Sequence, residues 1–324
     1  MSKKLILFDI KITTGITIIL VVIGHLASRG QENIEFYVKL KSIIYKFHMP
    51  LFLFLSGYIA YYTYPSINSI KDYSTYVKKK FIRLFPAYFI LSLVFFMGKY
   101  MLGKNADFTK GILDVLFYPA NSNGSFLWYI YVLFLFNLSM PIIDYFVKNK
   151  FLIFFTISIL ISTFIEFPEI FSLNLYFWYL PFYVLGCYLS NNQLTYLSLL
   201  KRYGYIILIV FVLWVFLEFL EIIDIHKNIA SLFAVFGIGY LSSIALVRND
   251  FLEKIGGDSF FIYLFNTMFM GGLTYFLKKI LGNELFIDLF YFLAPLIIFS
   301  GIYFPMMLNK IIKKRIPLLA KYIY

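Results

Sequence analysis

"KFHMPLFLFLSGY", Lys46 to Tyr58, carries a charge and a histidine at the mouth of one of the most apolar runs in the chain. Pro50 fits the first turn of a helix, where no amide donor is lost. Ser56-Gly57 is a small pair deep inside the run, suited to close helix contact. Such a segment is ready to enter a membrane, so the ionisable groups at its threshold need a reason.

Composition around it sets the class. Of 324 residues, 61% are hydrophobic, 22% aromatic and 14% charged, and the mean hydropathy is +0.81. Soluble domains carry about 25% charged residues. Apolar runs recur from end to end with no soluble-looking block, which predicts one polytopic, all-helical membrane domain over residues 1–324. Cys187 is the single cysteine, so an intrachain disulfide framework is excluded. With only His25, His48 and His226 beside it, no zinc-ligand spacing exists, and no metal is expected. The net charge of +12 does not imply nucleic acid, because membrane proteins collect Lys and Arg on cytoplasmic loops.

A helical span needs roughly 20 mostly apolar residues. Ten candidates are expected, at about 10–28, 48–64, 82–102, 125–146, 151–167, 174–190, 203–223, 229–247, 258–277 and 285–308. With the N-terminus inside, 19 of the 29 basic residues fall on inner segments, among them Lys3, Lys4, Lys71, Lys78–Lys80, Arg83 and Lys321. Both termini are therefore expected to be cytoplasmic. On that layout His25, near the end of span 1, and His48, at the start of span 2, both sit in the outer part of the membrane. An ionisable group there is a functional candidate, because burying it is expensive. A structural interhelical hydrogen bond and a proton relay or catalytic base both fit His25; a wet interfacial ring also fits His48.

"GITIILVVIGH" (Gly15–His25) followed by "FHMPLFLFLSGY" (Phe47–Tyr58) resembles the start of the acyltransferase-3 family of integral membrane acyltransferases. "KKFIRLFPAYF" (Lys79–Phe89), "FLWYIYVLFLF" (Phe126–Phe136), "FYVLGCYLS" (Phe182–Ser190) and "GDSFFIYLFNT" (Gly257–Thr267) resemble its later blocks in order. The resemblance implies a ten-helix layout. It also implies transfer of an acyl group, usually acetyl, from cytoplasmic acyl-CoA to a cell-surface glycan or lipid-linked sugar. Acetyl-CoA would be a co-substrate, with no tightly bound cofactor. The implied setting is a multi-pass protein of the cell membrane, a bacterial plasma membrane.

The resemblance also assigns residues. His25 would act as general base on the acceptor hydroxyl or carry the acyl group, with His48 beside it. Lys80 and Arg83, three apart on one helix face, would bind the phosphates of the donor. Trp128 packs against a sugar or the donor arm, or within the core. Asn266 stands where many relatives have His and lines the same cavity. The family's basic residue eleven positions before its histidine is replaced here by Thr14; Lys11, three positions earlier, is the nearest cation. Eleven and fourteen residues bring Thr14 and Lys11 to within about 20° and 40° of the His25 face. Lys11 thus supplies the missing donor-side charge or anchors the helix at the inner interface. A polysaccharide or lipid-linked-sugar exporter, or a non-catalytic subunit of a synthesis complex, is the alternative class.

Overall fold

A computed structural model describes residues 3–26, 34–101, 108–122, 124–244 and 247–315. All regular structure among them is helical. In chain order the helices are α1 (Lys3–Gly24), α2 (Glu35–Tyr62), α3 (Ile70–Met101), α4 (Phe108–Phe117), α5 (Trp128–Leu138), α6 (Met140–Asn149) and α7 (Phe151–Phe164). Then come α8 (Leu173–Asn191), α9 (Gln193–Phe219), α10 (Lys227–Ser243), α11 (Asp250–Gly257), α12 (Ser259–Leu281), α13 (Asn283–Asp288) and α14 (Phe290–Arg315).

Among the described residues, six helical stretches are long and apolar enough to cross a membrane: Glu35–Tyr62, Ile70–Gly98, Ile170–Asn191, Gln193–Phe219, Ser259–Leu281 and Phe290–Arg315. A seventh span exists if the segments Ser125–Leu138 and Met140–Asn149 count as one, bent by 62°. The bend falls at Ser139, just before Pro141, whose ring has no amide to continue the ladder. The expected ten is therefore met by six or seven by length and composition. The helices α7 (14 residues) and α10 (17 residues) are shorter than a span, and α1 has its side chains described only from Asp9. The expected first, third and eighth spans run in part through residues 27–28, 102 and 245–246, outside the described residues, as does Lys321 of the inner basic set.

The chain divides into two compact units, Met1–Phe52 with Gln193–Lys314, and Leu53–Asn192 with Arg315–Tyr324. The first unit is organised on α1. Thr13 donates to Ser242 Oγ at 2.7 Å, and Thr14 and Thr17 return their hydroxyls to the carbonyls of Ile10 and Thr13. This is how a hydroxyl is satisfied in an apolar interior. Asp9 pairs with Arg248 at 2.6 Å, and Lys11 with Glu253 at 2.9 Å. Gly256 of α11 lies so close to the Lys11 carbonyl that any side chain there would collide with backbone.

The amino-terminal part of α2 is clamped in the same unit. Lys46 donates to both Glu218 and Asp224, and Glu218 also accepts from Trp214 Nε1 at 2.8 Å. Lys39 pairs with Glu221 at 2.8 Å. These hydrogen bonds hold the exposed Glu221 and Asp224 carboxyls below the usual carboxylate range. Glu218 and Glu221 are thus counter-charges that fix this stretch of α2.

In the second unit, the Ser56-Gly57 pair meets α8. A Cβ on Gly57 would strike the Tyr183 carbonyl, and one on Gly186 would strike that of Phe54. The two backbones touch because neither carries a side chain. Gly186→Ala should therefore destabilise the protein by about 1–3 kcal/mol. Gly271→Ala, in open space on α12, should be neutral or stabilising. Thermal unfolding in detergent reads both; equal midpoints would contradict the backbone contact.

Candidate active site

The helix α1 ends at Gly24, whose carbonyl lies past the last amide bonds of the helix, those of His25 to Val21 and Val22 and of Leu26 to Ile23. In an apolar medium such groups must be satisfied internally. Two phenols from α2 do this. Tyr37 donates to the carbonyls of Ile23 and Gly24 at 2.9 and 3.2 Å, and Tyr45 donates to that of Gly24 at 2.9 Å. Both tyrosines come from the amphipathic stretch that precedes the apolar run of the opening segment.

His25 follows directly, half-buried, with its amide still bonded to the Val21 and Val22 carbonyls. Its Nδ1 lies 3.0 Å from Oδ1 of Asn266, on α12. Asn266 is fully buried and donates its amide nitrogen to the carbonyls of Ile262 and Tyr263, both at 2.9 Å. Carbonyls only accept, so these two bonds fix which end of the amide is nitrogen. The oxygen must then face His25, and the imidazole must donate to it. The hydrogen-bond network thus assigns the neutral tautomer with the proton on Nδ1 and the lone pair on Nε2.

His48 is buried and is fixed in the same sense. Its Nδ1 lies 2.8 Å from the Ile44 carbonyl one turn back, which leaves Nε2 with the lone pair. The Tyr45 ring lies 4.8 Å from that of His48, tilted by 33°. Tyr45 therefore joins the two histidines, its ring on one and its hydroxyl on the residue before the other. A neutral imidazole with an unprotonated Nε2, oriented by a neighbour on Nδ1, is the arrangement of a general base or of a nucleophile. Among the described residues no three His, Cys, Asp or Glu side chains cluster as metal ligands.

A family model described as an acyltransferase domain matches residues 10–309. The chain belongs to the acyltransferase-3 family. No curated protein and no solved structure matches it. Family membership makes the protein a membrane acyltransferase in general terms, and the apolar helices agree.

Of the residues that the family resemblance singled out, His25, His48 and Asn266 come together in the first unit. Lys11 stands near the other end of α1, about 21 Å along the axis from His25, on Glu253. Thr14 is buried, and its hydroxyl serves its own helix. Lys80, Arg83 and Trp128 belong to the second unit. There Lys80 is half-buried with Nζ 5.3 Å from the Tyr76 ring centroid, and Arg83 is exposed within electrostatic reach of Tyr129. Tyr129 is buried and shares a 2.6 Å hydrogen bond with Ser56. Trp128 stacks on Tyr179 at 5.2 Å and 11°. His226 is exposed and caps α10 by accepting from the Asn228 amide at 3.3 Å.

Sequence reading left the partner of His25 unassigned. It is an amide, and the available signal was Asn266 itself, a polar side chain inside "YLFNT". Tyr37 and Tyr45 were missed because phenols at a helix end read as ordinary interfacial aromatics.

Asn266→Ala should leave the fold intact and slow family-type acyl transfer at least tenfold, roughly, since an orienting partner is lost. Asn266→Gln, one methylene longer, should not restore it. Turnover by purified variants, normalised to folded protein, checks this; an unimpaired Asn266→Ala enzyme would contradict it.

Proposed function

We propose that this protein transfers an acyl group, acetyl in the first instance, from acyl-CoA to a hydroxyl of a cell-surface or exported glycan. We place it in the cell membrane with both termini in the cytoplasm, on the distribution of basic residues. The observation that carries the reading is the His25 Nδ1 contact to Asn266 Oδ1, which leaves Nε2 as a base. An exporter has no need of an imidazole held in one tautomer.

The residues then divide the work. Nε2 of His25 removes the proton of the acceptor hydroxyl as its oxygen attacks the thioester carbonyl. A C–O bond forms, the C–S bond breaks, and the departing thiolate takes the proton back from the imidazolium. Asn266 accepts from Nδ1–H throughout and stabilises the transient imidazolium. His48 lines the entrance and keeps Tyr45 in place. In the second unit, Arg83 and Lys80 provide the charge for the donor's phosphates, Arg by a fork and Lys as a point charge.

The test is loss of labelled acetyl from acetyl-CoA by purified protein in the presence of glycan acceptor. His25→Ala should lower the rate by roughly 10²–10⁴. His48→Ala should cost less. Arg83→Ala should raise the acetyl-CoA concentration needed for half-maximal rate, and Arg83→Lys should recover part of it. Full activity in His25→Ala would overturn the assignment.

A further inference from the structure

The start of α3 is docked on the break between α5 and α6. Pro141 has no amide, and the Ile142 amide bonds to the Ser139 carbonyl rather than to that of Leu138, four residues back. The Leu138 carbonyl accepts instead from the Tyr73 hydroxyl, at 2.8 Å. One residue earlier, Asn137 Oδ1 accepts from the Tyr76 hydroxyl at 2.7 Å. Both phenols come from α3, and both bonds fall at the last turn of α5, just before the 62° bend.

The Asn137 amide can point only one way. Asn137 and Tyr76 are both buried, and Asn137 Nδ2 donates to the Leu133 carbonyl at 2.6 Å. A carbonyl only accepts, so the nitrogen end is fixed, the oxygen faces Tyr76, and the phenol donates. Tyr64 packs against the Tyr76 ring at 5.4 Å and 86°. The ring is therefore held at its hydroxyl by α5 and flanked by Tyr64. A buried phenol deprived of its acceptor would have to move to find another.

Lys80 stands on that ring. Tyr73, Tyr76, Lys80 and Arg83 fall within about 80° of one another around α3. Lys80 is half-buried, with Nζ 5.3 Å from the centroid of the Tyr76 ring, and Arg83 is a like charge beside it. Repulsion from Arg83 and the flexible lysine stem would both spread the ammonium over many positions. The attraction of the ring face for a cation opposes that spread. A side chain already ordered before a ligand arrives loses less freedom on binding, which favours affinity. Asn137 itself is uncharged and buried, so a phosphate is met by Lys80 and not by the amide.

We propose that Asn137 is a positioning residue for the acyl donor: its hydrogen bond holds the Tyr76 ring, and the ring holds the Lys80 ammonium where the donor's phosphates bind. The inference rests on the assignment of Lys80 and Arg83 to the donor. It adds to that assignment a reason for the broken helix, whose last turn supplies the acceptors for both tyrosines of α3.

Equilibrium binding of coenzyme A and of pantetheine to the full-length protein in nanodiscs tests it, because pantetheine lacks the nucleotide phosphates. Asn137→Ala should weaken coenzyme A binding about three- to tenfold and leave pantetheine binding unchanged. Tyr76→Phe keeps the ring but not the hydrogen bond and should give the same pattern. The two substitutions together should cost no more than the larger alone, since they break one bond. In a Lys80→Ala background, Asn137→Ala should have no further effect on coenzyme A. A merely structural role for Asn137 would weaken both ligands and would persist in that background; either result would overturn the proposal. So would undiminished coenzyme A binding in Asn137→Ala where Lys80→Ala weakens it, and that outcome would leave the donor assignment standing. If Lys80→Ala and Arg83→Ala both bind coenzyme A as the unaltered protein does, the donor assignment itself falls, and this inference with it.

Discussion

The Gly24 carbonyl at the end of α1 must find donors, and it finds the phenols of Tyr37 and Tyr45. Leaving a buried backbone group unpaired costs several kcal/mol in an apolar medium. That requirement joins α1 to α2 at one level and sets His25 beside the helix that carries His48. The same phenol then orders the rest of the site. Tyr45 presents its ring to His48 and to Lys41, so one capping bond aligns both histidines and the neighbouring cation. The Lys46 clamp to Glu218 and Asp224 works from the opposite face of α2 and keeps that alignment from sliding.

The second constraint is the amide of Asn266. Its nitrogen is committed to two carbonyls of its own helix, so its oxygen has one place to point. A carboxylate in that position would accept equally well but would add a buried charge, at a large desolvation cost. An amide orients the imidazole without that cost. The arrangement parallels the Cys-His-Asn order of some proteases, in which an amide rather than a carboxylate steadies the histidine.

Much of the fold was legible in the sequence. Hydropathy marked the helices, the Ser56-Gly57 pair marked a close helix contact, and the antiparallel layout of the first two spans put His25 and His48 at one level. The span number was harder to read. A composition window cannot see that Ser139 and Pro141 bend a run by 62°, or that α7 stops at Phe164 before the extended backbone at Ile165. The site was legible residue by residue but not as a network. Asn266 lies 241 positions from His25, and only the rotation of α12 decides that it faces the imidazole.

The central claim is that His25 carries its proton on Nδ1 and offers Nε2 as the base. Nitrogen-15 NMR of histidine-labelled protein tests it directly. With three histidines in the chain, His48→Gln and His226→Gln identify the His25 signals. At a pH where the ring is neutral, the account predicts a protonated Nδ1 and an unprotonated Nε2 for His25, with that tautomer lost from dominance in Asn266→Ala. A His25 ring protonated on Nε2 in the unaltered protein would contradict it.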